Sequence, residues 1–183
     1  MKHALILLAL ALPLVAEDWP QFLGPRRDGS YHGKPLPRWP IAGPAMVWKM
    51  DIGAGFAGPA IDDGRLFLFH RIKDKEMLDC MDANTGKIFW RRSTVADYED
   101  QFGFDEGPRA VPTVSAERVF TLGANGLIQC ADVRSGKILW VVDAKKQFRG
   151  DQGFFGFACS PMVNGANLLI NISGNNAGII ALD

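Results

Sequence analysis

The sequence offers little ready-made chemistry. Its three cysteines, Cys80, Cys130 and Cys159, stand far apart in no CxxC spacing, and no HExxH occurs. The common zinc signatures are therefore excluded, and an odd count cannot pair entirely within the chain. Excess charge of either sign is also missing, because 20 Lys and Arg balance 20 Asp and Glu. That removes the electrostatic argument for a nucleic-acid or anionic-membrane partner. The pairs Arg26-Arg27 and Arg91-Arg92 are too short to change the balance and read as solvated surface. No apolar run reaches the roughly 20 residues of a membrane span, so no transmembrane span is expected. Beyond the N-terminus, no stretch of helical length carries apolar residues at helical spacing.

What is present begins with an export signal. Lys2 and His3 precede an apolar run from Ala4 to Leu12, then Pro13-Leu14-Val15-Ala16 and abruptly polar Glu17-Asp18. This order of charged, apolar and small residues predicts a signal peptide over 1–16, cleaved after Ala16. The mature protein is expected in the periplasm or cell envelope, soluble after cleavage. Disulfides are possible there. Cys80 and Cys130 nevertheless lie inside apolar runs and read as small buried hydrophobes.

Internal repetition is the strongest signal. Leu78-Asp79-Cys80-Met81-Asp82 followed by Thr85-Gly86-Lys87-Ile88-Phe89-Trp90 returns, fifty positions later, as Ile128-Gln129-Cys130-Ala131-Asp132 and Ser135-Gly136-Lys137-Ile138-Leu139-Trp140. Pro59, Pro112 and Pro161 open three matching segments, and the later landmark starts again at Ile179-Ile180-Ala181-Leu182-Asp183. Runs of four to seven Val, Ile, Leu and Phe residues bounded by Gly, Asp and Asn predict strands, four to a complete unit. The recurring residues have structural uses. Gly86 and Gly136 suit a turn with positive φ. Asp82 and Asp132 precede it and can accept backbone N–H bonds. Trp90 and Trp140 can each cover the gap to a neighbouring unit. Four-stranded sheets repeated radially make a β-propeller, so the expected fold is all-β, built of antiparallel four-stranded blades.

The pattern Leu/Ile-x-Cys-x-Asp-x-x-Thr/Ser-Gly-Lys-Ile-x-Trp closely resembles the quinoprotein-type (PQQ-like) propeller repeat. That repeat builds the outer-membrane assembly factor BamB and the quinoprotein alcohol dehydrogenases. The stretch Asp18-Trp19-Pro20-Gln21-Phe22-Leu23-Gly24-Pro25-Arg26-Arg27-Asp28-Gly29 also resembles the start of exported BamB-like proteins. The division expected is an extended arm over 17–46, a ring-closing strand over 47–52, blade 1 over 58–92, blade 2 over 110–142 and an incomplete blade 3 over 156–183. A ring takes at least about four blades, so the reading expects an open arc from an N-terminal fragment, its remaining C-terminal blades missing.

Candidate chemistry is sparse. Arg109 precedes an inner strand, and Phe56 and Phe155 occupy comparable places in their units, so these three are expected to face the channel, where a cation among aromatic rings could hold an anionic or planar ligand. The competing reading makes Arg109 a structural residue bonded to carbonyls. His70 lacks a partner at ligand spacing, and the five carboxylates of 93–109 fit no calcium loop and read as solvated. Ser173–Gly178 reads as a hairpin loop, since no helix follows to make a phosphate site. No catalytic residue, metal site or cofactor is expected, and envelope proteins are the expected partners. The resemblance also implies an alternative, the N-terminal part of a dehydrogenase that uses PQQ and calcium to oxidise alcohols or sugars. Those enzymes carry an adjacent Cys-Cys pair, absent here, just as the Cys that anchors the lipoprotein BamB is absent after Ala16.

Overall fold

This computed structural model describes residues 17–175 and 177–183; the expected signal peptide over 1–16 lies outside the described residues. Among the described residues eleven strands form three antiparallel sheets, with one short helix between the second and the third. The first holds β1 (Ala60–Asp62), β2 (Arg65–Ile72), β3 (Lys75–Asp82) and β4 (Ile88–Val95). The second holds β5 (Thr113–Ser115), β6 (Arg118–Leu122), β7 (Leu127–Asp132) and β8 (Ile138–Asp143). A helix absent from the sequence reading, α1 (Ala144–Phe148), follows; the Asp143 carboxylate caps it by accepting the Lys146 N–H. The third sheet holds β9 (Met162–Asn164), β10 (Asn167–Gly174) and β11 (Ala177–Leu182). Each sheet is a meander in chain order, with β1, β5 and β9 at its inner edge.

Those inner strands lie against one another, β1 on β5 and β5 on β9. Thr113 Oγ1 donates to the Pro161 carbonyl at 2.6 Å, and the Val111 N–H donates to Ser160 Oγ at 2.8 Å. The blades therefore fan out from a common axis, and among the described residues they form an open arc rather than a ring. Segment 47–52 forms no ladder with any described strand. Trp48 instead rests its ring on the Gly86 turn and donates its indole N–H to the Ala83 carbonyl at 3.0 Å.

Two apolar clusters glue the arc. Phe67, Phe69, Cys80 and Trp90 of the first blade interleave with Val114, Val119 and Val133 of the second. Phe120, Leu122, Ile128 and Cys130 of the second meet Phe157, Leu168, Ile170 and Ile172 beside the third. Burial on both faces explains why β2 carries a continuous apolar run, 66–69, rather than an alternating one. Both cysteines at the repeated position are free and fully buried, and burial pushes the Cys130 thiol up to about 11.

The repeated turn has one geometry in both blades. Asp82 Oδ1 accepts N–H bonds from Asn84 and Thr85, and Asp132 Oδ1 accepts one from Ser135 at 2.7 Å. Gly86 and Gly136 follow at φ 71° and 66°. A Cβ on Gly136 would sit 2.6 Å from the Trp90 ring, so this glycine is needed for close approach as well as for its dihedral. Trp90 also donates Nε1–H to the Val133 carbonyl at 2.9 Å. Trp48 on the first blade and Trp90 on the second thus make the same contact, with turns that lie fifty positions apart.

Candidate functional site

The chain before the first blade folds back across the axis. Trp19 exchanges two backbone hydrogen bonds with Ile61, each 2.9 Å, which adds one rung to the free edge of β1. The Pro20 carbonyl accepts the Val114 N–H at 2.8 Å, and the Arg27 guanidinium donates to the Val163 carbonyl. One short segment therefore touches an inner strand of all three blades. Arg27 departs from the solvated reading given to it, because its long stem lets the fork reach a strand carbonyl while remaining exposed.

Between this arm and the inner strands opens a cavity of about 930 Å³. Trp19, Phe22 and Leu23 of the arm face Phe56, Arg109 and Met162 across it. The walls are mainly apolar; besides Arg27, already bonded to Val163, the charge set among them is Arg109. Its fork is already engaged: Nη1 donates to the Gly107 carbonyl, and Nη2 to the Asp105 carbonyl at 2.6 Å. Its guanidinium carbon lies 4.9 Å from the Tyr98 ring centre and 5.8 Å from that of Phe56. A guanidinium held by carbonyls and stacked on rings supports the loop around it. Burial raises the Tyr98 phenol above its ordinary value, and Arg109 partly opposes that shift.

Arg109 and Phe56 thus come together at the axis, whereas Phe155 does not line the cavity. Its ring packs on Phe102 at 5.7 Å and Phe104 at 6.4 Å, in a separate cluster outside the arm. The arm residues that build the cavity wall were not singled out in the sequence. An aromatic and apolar trio, Trp19, Phe22 and Leu23, inside a Pro- and Gly-rich stretch was the available signal.

The buried ionisable groups lie elsewhere. His70 Nε2 and Asp79 Oδ2 are 3.1 Å apart, and Asp79 takes a two-pronged bond from Arg91 at 2.6 Å on each oxygen. His70 Nδ1 accepts the Gly53 N–H at 2.9 Å, so Nε2 carries the proton and donates it to Asp79. Neither ring nitrogen is left to take a proton from a substrate. Burial raises the Asp79 pKa, but the bonds from Arg91 and His70 outweigh it and hold the carboxyl below its usual range. Arg91 and Arg92 therefore are not a free surface pair. Arg92 donates to the Gly136 and Ser135 carbonyls at 2.6 and 2.8 Å, tying β4 to the turn of the next blade. Glu76, also buried, accepts the Ala124 N–H of the second blade at 2.8 Å, and burial raises its pKa.

A quinone or calcium site would need free acidic or amide donors facing the axis. Among the described residues no group of three His, Cys, Asp or Glu side chains is placed to hold a metal. Both guanidiniums at the cavity wall are bonded to carbonyls, Arg109 to those of Gly107 and Asp105 and Arg27 to that of Val163. Among the described residues, no helix is long and apolar enough to cross a membrane.

Comparison with known proteins agrees with this architecture. Quinohemoprotein alcohol dehydrogenase from Comamonas testosteroni is similar at 18% identity and a TM-score of 0.50, over 84% of this chain and 23% of that one. A europium-containing methanol dehydrogenase is similar at 16% identity and a TM-score of 0.50, over 72% and 25%. BamB from Moraxella catarrhalis is similar at 22% identity and a TM-score of 0.44, over 72% and 32%. The chain spans about a quarter to a third of the length of these structures. No curated protein matches the sequence. The family model described as outer membrane protein assembly factor BamB matches residues 42–183, more than half of the chain and every blade, and the chain therefore belongs to that PQQ-like repeat family.

Proposed function

We propose that this chain is part of an exported, non-catalytic propeller that serves in the cell envelope as a binding or scaffold module, without a quinone or metal cofactor. The observation that carries this reading is the state of its polar groups. His70, Asp79 and Arg91 satisfy one another inside the first blade, Glu76 braces the second, and Arg109 is held by backbone carbonyls. What faces the axis is an apolar wall suited to side chains rather than to proton or hydride transfer. The composition of residues 1–16 supports export, and membership of the BamB family supports envelope proteins as partners.

The test is reconstitution of the intact protein with PQQ and calcium, followed by dye reduction with ethanol and with glucose. The expected outcome is no turnover above a protein-free control. Reduction that requires both additions would replace this reading with the dehydrogenase alternative.

A further inference from the structure

Between its crossing of the blades and Trp48, the chain runs through an exposed, proline-rich stretch. The stretch is held at both ends: the His32 N–H donates to Glu17 Oε2 at 2.8 Å, and the Trp48 indole N–H to the Ala83 carbonyl. Every residue from Gly33 to Ala42 is exposed, with Leu36 at 70% and Trp39 at 66%. None of 34–40 lies in a strand, and its backbone closes one turn, in which the Gly43 N–H donates to the Pro40 carbonyl at 2.8 Å. Composition nevertheless makes the stretch stiff. Pro35, Pro37 and Pro40 fix their own φ. Lys34, Leu36 and Trp39 each precede a proline and are pushed to extended backbone. From Lys34 to Pro40 only Arg38 escapes both restraints, so the segment is held near a polyproline II helix before any partner arrives. Three residues per turn put Leu36 and Trp39 on one side of that helix. Such segments dock in grooves lined by aromatic rings, and their stiffness cuts the ordering cost of binding.

Charge narrows the partner further. No Asp or Glu occurs from 29 to 50, and the segment itself carries Lys34 and Arg38. Both are exposed, and among the described residues no carboxylate pairs with either. Two unneutralised cations beside the pairs Leu36-Pro37 and Trp39-Pro40 complement a groove with carboxylates at its rim. We propose that Lys34–Pro40 is a docking segment for another envelope protein, one that presents an aromatic-lined groove edged by Asp or Glu. The proposal deepens the binding-module reading, and the two fail separately: quinone-dependent turnover would defeat that reading and leave this segment's binding untouched.

The test is isothermal titration of the intact protein with two probes. One is an SH3 domain whose aromatic groove is flanked by Asp and Glu, and the other is the same domain with those acids replaced by Lys. Only the acidic probe is expected to bind. Pro37→Ala with Pro40→Ala should weaken it at least tenfold while leaving the melting temperature unchanged, because the segment is exposed. Lys34→Glu with Arg38→Glu keeps the prolines and should move the preference to the Lys-flanked probe. Binding of neither probe, equal binding of both to the wild type, or equal binding of the acidic probe to all variants would overturn the proposal. Sedimentation of the wild type with phosphatidylglycerol vesicles that Trp39→Ser abolishes would overturn it too, by assigning the segment to a lipid surface. Self-association lost in Trp39→Ser would overturn it by assigning the segment to a second copy.

Discussion

Asp79 is enclosed in the first blade, and its charge is tolerable only because two donors reach it. Arg91 fills both oxygens, and His70, itself oriented by Gly53, adds a third bond. Asp79→Asn puts an amide N–H against one of those donors. It should lower unfolding free energy by about 2 kcal/mol, less than for a fully enclosed pair because Arg91 is 39% exposed and water can replace part of the loss. Urea denaturation measures this. Arg91→Lys should recover little, since an ammonium cannot match the two oxygens at once. None of this network was legible in the sequence. Asp79 reads there as one member of an apolar strand, and Arg91 as half of a basic pair. Register places Asp79 opposite Arg91 across β3 and β4, and only pairing reveals that.

A blade is held to its neighbour by a ring, a glycine and a carbonyl. Trp90→Ala removes a side chain only 9% exposed and its bond to the Val133 carbonyl, and should cost about 3–5 kcal/mol. Gly136→Ala forces a Cβ to 2.6 Å from that ring at φ 66° and should cost about 1–3 kcal/mol. The costs should not add. Once the ring is gone the methyl has room, so the double variant should be more stable than the sum implies, as a thermal double-mutant cycle would measure. This contact was half visible beforehand. Recurrence of Gly and Trp at one spacing marks both as structural, but recurrence cannot say that the Trp of one unit meets the Gly of the next.

Across the whole molecule, acid and the arm are the levers. Asp79, Asp82, Asp100 and Asp132 all have pKa values lowered in the fold, the last three chiefly by hydrogen bonds to their turns. A depressed carboxyl stabilises above its unfolded value and loses that contribution as pH falls through the folded one. Stability should therefore decline on acidification below about pH 4, and Asp79→Asn should flatten the decline. Glu76 has the opposite sign: burial raises its pKa, so its contribution is complete in acid and fades as pH rises. Glu76→Gln, which keeps an acceptor for the Ala124 N–H, should gain on the wild type as pH rises above the ordinary glutamate value. The arm predicts a separate, local effect. Deleting residues 17–27 removes the acceptors of the Ile61 and Val114 amides. Hydrogen exchange there should quicken by roughly tenfold, about the weight of one net hydrogen bond, with the Cys80 and Cys130 amides unchanged.

By itself the sequence determined the strands, the turns and the radial repeat. These depend on residues within a few positions of one another and on a period that recurs, so local chemistry is enough to read them. Tertiary structure alone decided that the arm crosses three blades, that Phe155 parts from Arg109, and that the buried charges pair off. Each of these joins residues distant in the chain, and such partners are chosen by packing and register, which no local pattern carries.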